Sequence, residues 1–190
     1  MTVILLTPRR FADERGWFME TYHERRYLDL GVEATFVQDN HSYSAPPGTI
    51  RGIHFQRAPH AQAKLVRCLR GRIYDVAVDL RPDSPTFGQH VGAELSADNG
   101  HQLFVPGGFG HAFMTLESDC EVAYKVDDFY APETEGGIRW DDPALGIDWP
   151  LAAAGATDAV LSAKDAILPL LADADLDFAY DGSPLLPLHP

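Results

Sequence analysis

A chain of 190 residues with 45% hydrophobic and 23% charged side chains has the composition of a folded protein and lies far from that of disordered segments; at this length folding buries roughly 70% of the unfolded surface, so one domain suffices. The formal charge of −13 excludes a general electrostatic affinity for nucleic acid or anionic membranes, and any anionic ligand therefore needs a local cationic pocket. Cys68 and Cys120 stand far apart and outside any C-x-x-C pattern, which argues against a disulfide framework or zinc cage and fits a reducing cytoplasm.

In chain order, "MTVILLTPRR" carries its arginines behind a short apolar run, the wrong order for a secretion signal, and no apolar stretch approaches the ~20 residues that span a bilayer. "ERRYLDLG" has helical spacing and ends on Gly31. Short β-type runs follow: "TFVQ" at 35, "IRGIHFQ" at 50, "KLVRCL" at 64, "RIYDVAVDL" at 72, "HVGAEL" at 90, "QLFV" at 102, "HAFMTL" at 111 and "EVAYKV" at 121. Clusters such as "APPG", "RPDSP", "ADNG", "PGGFG" and "APETEGG" end these runs and reverse the chain. Many evenly spaced strands with such turns predict an all-β sandwich or jelly roll. In "RIYDVAVDL", Tyr74, Val76, Val78 and Leu80 alternate with Ile73, Asp75, Ala77 and Asp79, and the two carboxylates make the second set read as a solvent face. "LSAKDAILPLL" predicts a second helix with Ser162 as N-cap and Pro169 as its limit. The expected organisation is one domain: a barrel over 1–150 and an extension over 151–190 that packs on it, with a mobile tail at 181–190.

"GHQLFVPGGFGHAFMT" resembles the second motif of the cupin superfamily through Gly100, Pro106, Gly108 and His111, with Thr115 where asparagine is usual. The fold that this implies is a double-stranded β-helix, a jelly-roll barrel. The first cupin motif would place histidines at 58 and 60 and a glutamate at 64, and this chain has Ala58, His60 and Lys64. An ammonium among would-be ligands repels a divalent ion, so no metal is expected; a metal-dependent cupin dioxygenase is the minor alternative.

Removing a proton beside a carbonyl calls for a base of near-neutral pKa and a cation where enolate charge gathers, and histidine and lysine supply these. Alternation puts Gly52, His54 and Gln56 on one strand face and Lys64, Val66 and Cys68 on another, so neighbouring strands could aim both groups into one barrel. On these grounds a lone histidine is more often a satisfied polar residue than a base, and Tyr124, beside Val122 and Val126 on one face, reads as core.

"FADERGWFMETY", "FVQDNHSYS", "RGIHFQ", "AQAKLVRCLRGRIYDVAVDLRPDSPTFG", "QLFVPGGFGHAFMTL", "AYKVDDFYAPETEGGIRWDDPALGIDWP" and "LSAKD" resemble, in order, the dTDP-4-dehydrorhamnose 3,5-epimerase (RmlC) family, over residues 8 to about 172. The resemblance implies an isomerase that needs no metal or organic cofactor and inverts C3 and C5 of a dTDP-4-keto-6-deoxyhexose. It further implies His54 as base, Asp165 as its orienting carboxylate, Tyr124 as acid, and Lys64 and His111 around the sugar carbonyl with Arg51 nearby. Implied nucleotide contacts are Arg15, Glu20, Gln38, Asn40, Glu135 and Lys164, with Tyr130 stacking on thymine. The family is dimeric, so Arg15 and Glu20 are expected to reach the neighbouring subunit's site. The chain departs from the family pattern in the long alanine-rich connection before "LSAKD", in the Pro-rich tail and in Ile53 for leucine. The first two could reshape the pocket rim, so a single-site epimerase inverting only C5 or only C3 is the alternative; a non-catalytic sugar-nucleotide binder would exchange no proton.

Overall fold

Side chains that alternate between two environments need two surfaces to bury them, and this chain supplies both by stacking sheets. The computed structural model describes residues 1–189. The strands are β1 (Ile4–Leu6), β2 (Arg10–Asp13), β3 (Gly16–Met19), β4 (Gln38–Ser44), β5 (Ile50–Gln56), β6 (Lys64–Arg70) and β7 (Arg72–Asp79). They continue as β8 (His90–Ser96), β9 (Gln102–Val105), β10 (Phe109–Thr115), β11 (Cys120–Val126) and β12 (Glu135–Gly137), and the one α-helix among the described residues, α1, spans Glu24–Asp29. Two five-stranded sheets form, ordered β1-β9-β6-β11-β4 and β12-β5-β10-β7-β8, with β2 and β3 as a separate hairpin. Every strand pair is antiparallel. The result is a cupin-like jelly roll.

Between the sheets lie Val66, Cys68, Leu103, Val105 and Val122 from the first and Ile73, Ala77, Leu95, Phe109 and Phe113 from the second. Full burial of a side chain of Val or Leu size contributes about 1.5–3 kcal/mol over leaving it exposed, so this layer is a substantial part of what holds the sheets together. Helix α1 covers the outside of the first sheet, where Tyr27 joins Leu6, Leu65 and Phe104. It stops at Gly31, whose φ of 91° lets Val32 N–H turn back to the Tyr27 carbonyl at 2.9 Å.

The second sheet is buried on both faces, which overturns the solvent-face reading of β7. Val76, Val78 and Leu80 pack outward against Ile138, Leu145 and Trp149, supplied by the chain beyond β12. Asp75 and Asp79 point the other way and are fully buried. Alternation identified the two faces correctly but could not show that a distant segment covers the outer one.

Three further expectations change. The strand expected at 35 begins only at Gln38, because Phe36 turns aside to pack edge-on against Tyr22. "LSAKDAILPLL" forms a 3₁₀ turn at Asp165–Ile167 in place of a helix, although the Ser162 hydroxyl does accept the Asp165 N–H at 3.0 Å. Leu168 is extended at ψ 148°, as a residue before proline prefers, and this stops the helix. Among the described residues the extension contains 3₁₀ turns, the others at Ala152–Ala154 and Leu171–Asp173, and one isolated bridge from Val160 to Thr49. The tail is anchored along 181–189: Asp181 pairs with the buried Arg81 at 3.0 Å and Leu185 is 8% exposed within the inter-sheet cluster. Pro190 lies outside the described residues. Among the described residues no helix is long and apolar enough to cross a membrane.

Candidate active site

Strands β5 and β10 lie side by side with His54 opposite His111. Gly52, at φ 120°, permits that approach: a Cβ there would stand 2.5 Å from the His111 carbonyl oxygen. His54 Nε2 lies 2.7 Å from Asp165 Oδ1. Asp165 is 4% exposed. Burial works against its charge, but the His54 hydrogen bond and charge, with Ser162 and the Gly52 N–H, outweigh that and hold the carboxyl below its ordinary pKa. An ionised carboxylate on one ring nitrogen fixes the tautomer and leaves Nδ1 as the free basic atom.

Lys64 opens β6 and points inward, almost fully buried, and its ammonium donates to the His54 carbonyl at 3.3 Å. Burial lowers its pKa to about 8 against the opposing charges of Asp75 and Glu135. His111 Nε2 meets Asp75 Oδ1 at 2.8 Å, a second histidine–carboxylate pair. Burial lowers the His111 pKa, with Asp75 acting in the other direction. Asp75 Oδ2 is buried without a hydrogen-bond partner. Tyr124, on β11, has its phenol pKa raised by burial, which Arg51 partly offsets. Arg51 is aimed by its own bonds, Nε to Ser44 Oγ at 3.0 Å and Nη2 to the Tyr43 carbonyl at 2.8 Å.

These groups converge. His54, Lys64, His111, Tyr124, Arg51, Lys164 and Asp165 line one cavity of about 640 Å³. Its rim includes Val160 and Leu161 from the connection before Asp165, held to the barrel by the Ile50 N–H bond to the Val160 carbonyl at 3.0 Å. An adjoining recess of about 140 Å³ shares His54, Lys64 and Tyr124 and adds Gln38, Asn40, Tyr130 and Glu135. Here Glu135 bridges Lys164 at 2.6 Å and the Tyr130 hydroxyl at 2.9 Å, and Gln38 donates to Asn40 at 2.9 Å. The Tyr130 ring remains exposed.

Two of the expected site residues lie elsewhere in the chain. Arg15 sits at the tip of the β2–β3 hairpin, paired with Asp13 at 2.6 Å, and Glu20 accepts from Arg26 at 2.8 Å. The same hairpin exposes Phe11, Trp17 and Phe18. His60, at a cupin ligand position, pairs with Asp128 at 2.9 Å and does not line the cavity. Among the described residues no group of three His, Cys, Asp or Glu side chains is placed to hold a metal ion. Asp75 is the site residue that sequence reasoning missed. The available signal was its strand face, shared with Ile73 and Ala77, both of which belong in a core.

The family model for dTDP-4-dehydrorhamnose 3,5-epimerase matches residues 1–173. A Sinorhizobium fredii protein of that name is 50% identical, over 94% of this chain and 89% of the relative. The crystal structure of the Bacillus anthracis dTDP-4-dehydrorhamnose 3,5-epimerase with TDP and pyrophosphate bound has 53% identity and a TM-score of 0.84, covering 88% of this chain and 93% of that one. The Legionella pneumophila dTDP-6-deoxy-D-glucose-3,5-epimerase in complex with dTDP-4-keto-L-rhamnose has 45% identity and a TM-score of 0.85, covering 91% and 89%. On a match this long and a fold this similar, the chain belongs to the dTDP-4-dehydrorhamnose 3,5-epimerase family.

Proposed function

We propose that this protein is a cytoplasmic, homodimeric epimerase that inverts C3 and C5 of a dTDP-4-keto-6-deoxyhexose without metal or organic cofactor, in the route to L-rhamnose or a related deoxysugar. The observation that carries the reading is the His54–Asp165 pair facing Lys64 and Tyr124 across a single cavity. His54 takes the proton beside the C4 carbonyl. Lys64, with His111 next to it, neutralises the enolate oxygen, and Tyr124 returns a proton from the opposite face. A phenol whose pKa is raised stays protonated at neutral pH and is therefore a competent donor. The diphosphate and thymidine extend from the cavity into the recess: Gln38, Asn40 and Glu135 supply polar contacts in the recess, and Arg51 and Lys164 supply positive charge from the cavity in an otherwise acidic protein. Arg15 and Glu20 come from the partner subunit's hairpin, and covering Phe11, Trp17 and Phe18 is the reason to dimerise.

Incubation with dTDP-4-keto-6-deoxyglucose in heavy water tests this directly. Deuterium at both C3 and C5 with inversion at each supports the full reaction, label at one carbon reduces it to a single-site epimerase, and no label at either rejects an epimerase. Activity that disappears on exhaustive chelation and returns with a divalent ion would reject the metal-free chemistry.

Tyr130→Ala should weaken dTDP binding by the value of one base–aromatic stack, about 1–3 kcal/mol, while proton exchange at saturating substrate is unchanged; calorimetric titration checks it, and equal affinity removes Tyr130 from the nucleotide site. The pH dependence follows from Lys64. With its pKa lowered to about 8, the ammonium is charged below that pH and loses its proton above it. The kcat/KM profile, which reports the free enzyme, should fall as pH rises through about 8. In Lys64→Arg, whose guanidinium stays charged, that descending limb should disappear even though the rate is lower.

A further inference from the structure

The loop between β7 and β8 builds a second polar centre remote from the cavity. Asp79, fully buried, accepts from Arg81 Nε and Nη2 at 2.8 Å each, from the Arg81 N–H at 3.1 Å, from Ser84 Oγ at 2.7 Å and from Thr86 Oγ1 at 2.8 Å. Burial alone would raise the Asp79 pKa, and these donors more than compensate. The cluster leaves two capacities unused: Arg81 Nη1, the guanidinium nitrogen that Asp79 does not engage, and a lone pair on Thr86 Oγ1. Chain segment 174–189, which lies beyond the family-matched residues, fills both. Asp181 Oδ1 accepts from Arg81 Nη1 at 3.0 Å, and the Leu185 N–H donates to Thr86 Oγ1 at 2.9 Å. The Tyr180 ring centroid lies 5.2 Å from Arg81 Cζ, and that of Phe109 4.4 Å.

We propose that the Asp79–Arg81–Thr86 cluster is a peptide-docking site that takes this chain's own D-x-x-x-L segment, Asp181 to Leu185, and that its occupation closes the barrel between the edge strands β1 and β8. Those strands end the two sheets on one side. Leu185 and Leu188 enter the apolar cluster that also holds Val3 and Leu5 at β1 and Val91 and Ala93 on β8. An edge that is covered neither frays nor pairs with another chain. Recognition needs both halves, a carboxylate for the spare guanidinium donor and an N–H with an apolar side chain four residues later.

Hydrogen exchange read by mass spectrometry on the full-length protein tests the assignment. Leu185→Asp and Asp181→Asn should each raise exchange at Val3–Leu6 and over residues 84–93 by at least about tenfold, while amides of β5 and β11, at the catalytic side, keep their protection. If Leu185→Asp does not fold, Asp181→Asn, a nearly isosteric change at an exposed residue, decides alone. Unchanged protection at β1 and β8 in a folded Asp181→Asn overturns the proposal, as does a rise spread equally over β5 and β11, which would mark general destabilisation. The measurement needs no substrate, so its outcome is independent of the epimerase reading.

Discussion

Tyr124→Phe should wash solvent deuterium into the sugar without changing its configuration, whereas His54→Ala should lose exchange and inversion together. Asp165 occupies His54 Nε2 at 2.7 Å, so Nδ1 is the atom left to take the proton. Once protonated, the imidazolium exchanges with solvent and can return a deuteron to the face it came from. Only a donor on the other face gives inversion, and Tyr124 sits on β11 of the first sheet while His54 sits on β5 of the second. Loss of a positioned base costs on the order of 10²–10⁴ in rate, and proton NMR of the recovered sugar separates the two outcomes. Parent-rate inversion by Tyr124→Phe would require a different donor.

Lys64→Met should slow exchange and inversion equally and leave the protein more stable. Both steps pass through one enolate, so the loss of its charge partner should cost about 3–4 kcal/mol of transition-state stabilisation, by comparison with an oxyanion donor. Stability moves the other way. A lysine with its pKa lowered to about 8 is disfavoured as a cation by the folded state, and below that pH the folded protein carries this penalty in full. Removing the charge at pH 7 should therefore stabilise by on the order of 1–3 kcal/mol, seen as a higher Tm. A variant that loses both activity and Tm would mean that Lys64 serves packing and not charge.

How far these positions could be read in advance depended on the range of the forces that place them. The inward aim of His54 and Lys64 follows from the two-residue period of β5 and β6, and the glycine at 52 marks a close backbone approach. Tyr124 was indistinguishable from core on the same grounds, because a phenol in an apolar row looks like packing until the cavity beside it is known. Asp75 misled for the opposite reason. Its strand appeared to have one wet face, and only the docking of Ile138, Leu145 and Trp149 onto β7 makes that strand dry on both sides. The segment around Ser162 has a helix-start pattern, but Pro169 left it too few residues to propagate one. The tail, rich in proline, gave no periodic signal at all; it is ordered by Arg81, a hundred residues earlier.

The pairing of His54 with Asp165 joins residues 111 positions apart. During synthesis the base-bearing strand is complete long before its carboxylate leaves the ribosome, and a chain stopped between residues 138 and 164 has all the barrel strands but an unoriented imidazole. Loop closure over that distance is the kind of long-range contact that a chain forms late. Competence for proton transfer therefore requires almost the whole chain to be in place.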